Sequence, residues 1–269
     1  MITGNRSVLA KPLKFTTPTL LSLIKRRGGE PHLTLGGTPT WYDDQAQRTI
    51  DQQVNAALSE HGLLGARGMD RDLVLLLESI AHPQLEYYGW FDGTFADAPS
   101  NFTVFAGSGK GGAFVLVRTI GEEVVIVAPE RPDELLRGFI NQIPQARPGN
   151  GTQLVVGKQE FTTGRAPSSG EFSVMQSDTR QKAPAPGAEM KRIMAAERTG
   201  AGTLYVAARN QAGARKRCQR PLNFIDTVEG RWLMEEAPGR GEPLVVFTPA
   251  TPQLLGDRLR NAQSLLPAI

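Results

Sequence analysis

The sequence predicts an α+β protein made of two related halves, and three observations carry that expectation. Apolar residues recur at helical spacing in some segments and alternate or run continuously in others, so both element types are present. Five elements of the first half recur in the same order in the second, and part of the recurrence is visible in letters. Val124-Val125-Ile126-Val127-Ala128-Pro129 matches Leu244-Val245-Val246-Phe247-Thr248-Pro249. Pro132 then matches Pro252, Leu135 matches Leu255 and Phe139 matches Leu259 at constant spacing. A weaker echo pairs Lys14-Phe15-Thr16-Thr17 with Glu160-Phe161-Thr162-Thr163. Third, 269 residues with 40% apolar and 21% charged side chains are those of a folded chain long enough to bury a core. Two units that each leave a sheet face open pack together. The expectation is therefore one domain over residues 1–269, with pseudo-two-fold related halves at roughly 9–149 and 150–269.

The elements follow in order. Lys11–Thr16 reads as a short strand. Thr17 offers a helix N-cap, Pro18 suits the first helical position, Leu20, Leu21 and Ile24 form an apolar stripe, and Gly28-Gly29 ends the helix. Pro31–Leu35 reads as extended. Asp43–His61 is a second helix with Ile50, Val54, Ala57 and Leu58 inward and Gly62 at C′. Asp70–Ala81 is a third, burying Leu73, Leu76, Leu77 and Ile80 and stopped by Pro83. The period then changes. Leu85–Phe91, Phe102–Ala106, Ala113–Thr119 and Glu123–Ala128 read as strands, with a loop over Asp92–Ser100. A helix spans Asp133–Ile143. In the second half Val155–Phe161 is a strand, and 164–187 is a loop rich in Gly, Pro and Ser. Ala188–Arg198 is a helix. Thr203–Arg209, Gln219–Asp226, Arg231–Glu235 and Leu244–Thr248 are strands, and Gln253–Leu266 is a final helix.

Several chemistries are excluded or lack support. One cysteine, Cys218, cannot form an internal disulfide or a cysteine-rich zinc site. No stretch approaches the roughly 18 apolar residues that cross a bilayer. Met1–Lys14 has no apolar signal core, so the expected location is cytoplasmic. Gly107-Ser108-Gly109-Lys110-Gly111-Gly112 matches a bare GxGxxG, but a strand pattern follows it where a phosphate site needs a helix N-terminus. It reads as a hairpin turn. His32, His61 and His82 have no partner at metal-ligand spacing. No nucleophile elbow or carboxylate pair stands out, so the chain is expected to be no enzyme and to hold no cofactor. The pI of 9.1 rests on a net charge of only +3. Part of the excess is the cluster Arg209, Arg215, Lys216, Arg217 and Arg220 at one hairpin tip. A solvated turn or a charged edge strand explains it. The alternative is a nucleic-acid-binding module using hairpin 209–220.

Two hairpins of the second half carry the most specific pattern. Gly202–Arg209 leads into the basic turn, and Phe224-Ile225-Asp226-Thr227-Val228-Glu229-Gly230-Arg231-Trp232 follows. Asp226-Thr227 favours a turn start, and Gly230 supplies the positive φ that closes it. This run, before Thr248–Pro252 and a leucine-bearing last helix, resembles the EspG family, the secretion-associated chaperones of actinobacterial type VII (ESX) systems. The N-terminal half agrees in its Glu60-His61-Gly62-Leu63-Leu64 helix end and in Leu85-Glu86-Tyr87-Tyr88-Gly89-Trp90. The resemblance implies a central antiparallel sheet with flanking helical bundles and no catalysis. It implies a cytosolic chaperone that keeps a PE–PPE-like or other helical-hairpin substrate soluble, with the secretion ATPase complex as a further candidate partner. It implies no nucleic acid and no membrane insertion, and a monomer or homodimer. Candidate partner-binding residues are Phe91, Phe95, Arg209, Arg231, Trp232 and Arg258, with the partner tip against the sheet and the Gln253–Leu266 helix.

Overall fold

The computed structural model describes residues 11–36, 43–95, 98–122, 124–163 and 185–266. The chain divides into two compact units. The first comprises Met1–Pro144, Gly202–Pro221 and Gly256–Ile269, and the second Gln145–Ala201 and Leu222–Leu255. Antiparallel sheet dominates both.

The first unit opens with β1 (Leu13–Thr16) and α1 (Thr17–Arg26). Thr16, one residue earlier than the sequence suggests, is the N-cap, and its hydroxyl accepts from the Thr19 amide at 3.3 Å. Pro18 sits in the first turn, where its missing N–H costs nothing. Leu20, Leu23 and Ile24 are buried, each at about 1.5–3 kcal/mol of transfer free energy. Pro31–Leu35 is a turn closed by the Leu35 amide on the His32 carbonyl at 2.8 Å, not an extended segment. α2 (Asp44–Glu60) is capped by Asp43, whose carboxylate accepts from the Ala46 amide at 2.7 Å, and buries Val54 and Leu58. Arg26 reaches Asp51 at 2.7 Å and ties α1 to α2. A minimal hairpin, β2 (Leu64–Gly65) and β3 (Gly68–Met69), leads to α3 (Arg71–Ala81). Asp70 caps α3 through the amides of Asp72 and Leu73.

β4 (Leu85–Phe95), β5 (Ala98–Gly109), β6 (Gly112–Thr119) and β7 (Val124–Glu130) form a meander, and β1 returns to pair antiparallel with β7, giving the order β1-β7-β6-β5-β4. The expected loop Asp92–Ser100 is instead a continuation of two strands. Asp92 pairs with Asn101 and Gly93 with Ser100. The sequence hid this because polar residues on a protruding hairpin arm carry no apolar alternation. Register sorts the side chains. Tyr88, Phe105, Leu116 and Val127 stand in one cross-strand row and pack with Leu20, Leu73, Leu77 and other residues of α1, α2 and α3 in one core. On the opposite face lie α4 (Leu135–Ile140), preceded by a 3-10 turn Pro132–Glu134, and the last helix. Tyr87 there meets the ring of Phe139 and hydrogen-bonds Gln263. The Asp133–Ile143 helix is thus shorter than expected.

The second unit starts with β8 (Leu154–Gly157) and α5 (Lys158–Thr163). The expected strand Val155–Phe161 therefore breaks after Gly157, where Lys-Gln-Glu starts a helix. Glu160-Phe161-Thr162-Thr163 lies on that helix, whereas Lys14-Phe15-Thr16 lies on a strand, so the weaker letter echo joins unlike elements. The 164–187 loop lies outside the described residues up to 184, and Pro186-Gly187 already belongs to α6 (Pro186–Ala195). β9 (Arg198–Arg209) and β10 (Arg215–Arg217) form the hairpin of the basic cluster, which from Gly202 to Pro221 belongs to the first unit. β11 (Leu222–Thr227), β12 (Gly230–Ala237) and β13 (Leu244–Pro249) form a second meander, and β8 returns to pair with β13. The order β8-β13-β12-β11 repeats the scheme of the first unit, in which the first strand pairs with the last. α7 (Pro252–Ser264) closes the chain and contributes to the first unit from Gly256 onward.

Candidate functional site

The first-unit sheet presents two faces with different chemistry. On the α1–α3 face, Glu86 and Tyr88 are buried side by side on β4. The β9–β10 hairpin lays Arg215 over them. Its guanidinium pairs with the Glu86 carboxylate and sits 5.5 Å from the Tyr88 ring centroid. His32, on the turn after α1, stacks on Phe105 at 4.0 Å and meets Tyr88 edge-on at 4.7 Å. Its Nδ1 accepts from the Thr34 amide at 3.3 Å, and its Nε2 lies 3.5 Å from Arg215 Nη2 and 3.9 Å from Glu86 Oε2. Burial, reinforced by Arg215 and Arg209, pushes the His32 pKa down to about 3, so the ring is neutral. Burial raises the Glu86 pKa, and Arg215 works against that rise. The same turn is held by Thr103, whose hydroxyl donates to the Thr34 carbonyl at 3.0 Å, and by Arg118 at 3.3 Å to that oxygen.

Beyond this cluster the face opens into an aromatic shelf. Tyr205 stacks on Tyr88 at 5.1 Å, Trp90 stands edge-on to Tyr205 at 5.8 Å, and Arg217 lies 4.9 Å above the Tyr205 ring. Trp90 and Tyr205 are half-buried and Arg217 is exposed. Arg209 donates to the Gly213 carbonyl at 3.2 Å while its Nε is buried without a partner among the described residues. The basic hairpin is therefore not a solvated turn throughout. Arg215 is taken by a buried carboxylate, and only part of the cluster faces water.

On the opposite face, α4 and α7 cover Tyr87, whose pKa burial pushes up to about 12. Arg258 is half-buried on α7, and Leu265 just beyond it is 87% exposed. Phe91 is on β4 but is 1% exposed and stacks on Phe102 at 4.9 Å. Its aromatic bulk is used inside. Phe95 ends β4 opposite Ala98, and its side chain lies outside the described residues.

The most distinctive stretch of sequence forms a sealed hairpin in the second unit. Arg231 and Asp226 pair in bidentate fashion at 2.7 Å and 2.7 Å, both nearly inaccessible, and the guanidinium lies 4.2 Å over the Phe224 ring. Thr227 accepts from the Glu229 amide at 3.2 Å, and its hydroxyl donates to the Gly230 carbonyl at 3.1 Å. The Arg231 backbone bonds Arg147 and Gly149, and Trp232 is 1% exposed in the second core. Arg231 and Trp232 thus present no side-chain surface to a partner in this fold. They hold the hairpin, because an ion pair of this geometry satisfies a buried charge and a large indole fills a core. The glycine-rich loop is equally structural. Residues 110–111 close a tight β5–β6 hairpin, and a Cβ on Gly111 would collide with the Leu75 carbonyl of α3. Among the sequence-selected residues, Arg209 and Arg258 remain at the surface, on opposite faces. Glu86, His32, Trp90 and Tyr205 were not singled out. Glu86 alone carried a signal, as the one charge in an apolar strand.

Helices on both faces of the first-unit sheet and a surface built of arginine and aromatic rings define a scaffold that offers a binding face. The chain belongs to the EspG family, whose family model matches residues 21–261. Its fold is similar to that of the Mycobacterium tuberculosis type VII secretion system chaperone EspG5, solved in complex with a PE25-PPE41 dimer. The two share 15% identity over 96% of this chain and 97% of that one, with a TM-score of 0.61. No curated protein matches the chain. Among the described residues no helix is long and apolar enough to cross a membrane.

Proposed function

We propose that the chain is a non-enzymatic cytosolic chaperone of a type VII secretion system that holds a PE–PPE-like helical-hairpin client for delivery. The observation that carries this reading is the family match over residues 21–261. The shared fold with EspG5, a chaperone solved with a PE–PPE dimer, supports it. The client tip docks on the α7 side of the first-unit sheet, where Arg258 on the last helix, Leu265 just after it and Phe95 on the β4–β5 arm are the contacts. A client of this kind exposes apolar surface that must be kept from self-association, and an exposed leucine beside a charged rim suits that task. The test is co-expression with a PE–PPE-like pair from the same genome. Co-elution as one complex is expected, with capture reduced by Leu265→Asp and by Phe95→Asp. No complex with any helical-hairpin substrate would sink the reading, and capture unchanged by both variants would sink the placement.

A further inference from the structure

The cation–aromatic shelf lies on the sheet face opposite α7 and has no part in client capture as placed above. Its geometry points to a docking surface for an acidic polypeptide segment of a partner protein, with carboxylates flanking an apolar side chain. Three observations carry this. Trp90 and Tyr205 are half-buried and meet ring to edge, leaving part of each ring uncovered. Trp, Tyr and Arg are the residue types that concentrate binding energy at protein interfaces. Arg217 is exposed and already positioned over the Tyr205 ring, so little side-chain entropy is lost when it pairs.

The charge balance gives the sign of the ligand. The buried Glu86 carboxylate is matched by Arg215, and the neutral His32 adds nothing. Neither Arg209 nor Arg217 has a carboxylate within ion-pair distance among the described residues. The surface therefore carries cations in excess, and one of them, Arg217, lies over an aromatic ring. A carboxylate meeting Arg217 would lie at the rim of the shelf, and a neighbouring apolar side chain would cover Tyr205 and Trp90. Lys216 provides an internal control. It lies between Arg215 and Arg217 on β10, so strand alternation points it to the other face.

A nucleic acid is disfavoured because Arg215, central to the basic cluster, is bound to Glu86. A phosphate backbone would need a longer row of free cations. The experiment uses fluorescence anisotropy with the full chain and three probes at low salt. One is a fluorescein-labelled peptide of glutamates flanking a central leucine, one its lysine counterpart, and one an oligothymidylate of equal negative charge. The acidic peptide is expected to bind, and the lysine peptide is not. Arg217→Ala is expected to weaken acidic-peptide binding about fivefold or more, and Tyr205→Ser similarly, whereas Lys216→Ala changes it less than about twofold. Arg217 and Lys216 are exposed, so their variants fold, and circular dichroism checks Tyr205→Ser. Equal losses at Lys216 and Arg217 would reduce the effect to net charge and overturn the proposal. So would tighter binding of the oligothymidylate, or acidic-peptide binding indifferent to Arg217. Client capture, read separately with Leu265→Asp, is unaffected by Arg217→Ala, so failure of one reading leaves the other standing.

Discussion

Among the described residues each unit holds an arginine paired with a buried carboxylate, and the two pairs are built differently. In the second unit Asp226 and Arg231 stand on adjacent strands of one hairpin, both sealed, with parallel 2.7 Å bonds. In the first unit Glu86 and Arg215 come from distant parts of the chain. The carboxylate is sealed, the arginine side chain is 27% exposed, and Glu86 Oε2 has no hydrogen-bond partner among the described residues. The first pair is a local staple whose two charges are matched. The second is a latch that holds the β9–β10 hairpin onto β4 and leaves a carboxylate oxygen facing a neutral histidine. The incompletely matched pair carries a pH response, because burial raises the Glu86 pKa and its carboxylate can escape by taking a proton.

The largest expected effect comes from Asp226→Ala. It strands an arginine that cannot deprotonate, at a cost of about 3–5 kcal/mol. Hydrogen exchange of β11 and β12 amides measures this in the second unit. Protection of these amides left unchanged would break the contrast. Arg215→Met is expected to cost less, about 2–3 kcal/mol near neutrality, because Arg215 is partly hydrated. Its cost shrinks on acidification. Glu86 has a raised folded-state pKa, so the folded form binds its proton more readily than the unfolded chain does, and stability is regained as pH falls towards the ordinary glutamate value. Exchange at β4 reads this, and a cost independent of pH would remove Glu86 from the response.

His32 gives an effect of opposite sign that grows with acid. Its folded pKa of about 3 lies below the ordinary 6.5, so the stability it contributes is complete above pH 6.5 and is lost as pH falls towards 3. The slope approaches about 1.4 kcal/mol per pH unit. His32→Gln is expected to flatten the acid limb of a first-unit melting curve, and an unchanged limb would remove histidine from the cluster's titration. The smallest effect belongs to the exposed pair Arg131–Asp133, 2.8 Å apart at the surface. Arg131→Ala is expected to change stability by less than about 0.5 kcal/mol in a thermal melt, which sets the scale for the buried pairs.

The same contrast explains what could be read in advance. Asp226-Thr227-x-x-Gly230-Arg231 was legible as a hairpin and as a family mark because its chemistry is closed within a few residues. Its burial was not legible, since sequence does not say which side of a strand faces a core, and nothing in the pattern separates Arg231 and Trp232 from surface residues. Glu86–Arg215 was invisible because its halves are joined only by tertiary packing. The meander Phe102–Ala106, Ala113–Thr119 and Glu123–Ala128 was legible from continuous apolar runs. The arm at Asp92–Ser100 was not, because its pairing rests on backbone hydrogen bonds between polar residues. Pro31–Leu35 failed for a related reason. Its turn is imposed by Thr103 and Arg118 gripping the Thr34 carbonyl from the sheet.

Trp232 bears on how this hairpin can evolve. Its indole occupies the space that a side chain at Gly149 would need, and a Cβ there would fall onto the ring. The two positions form a lock in which neither partner can vary alone. A lineage that enlarges residue 149 must first shrink residue 232 and pass through a chain with a hole in its second core. Relatives should therefore divide into sequences that keep both residues and sequences that replace both.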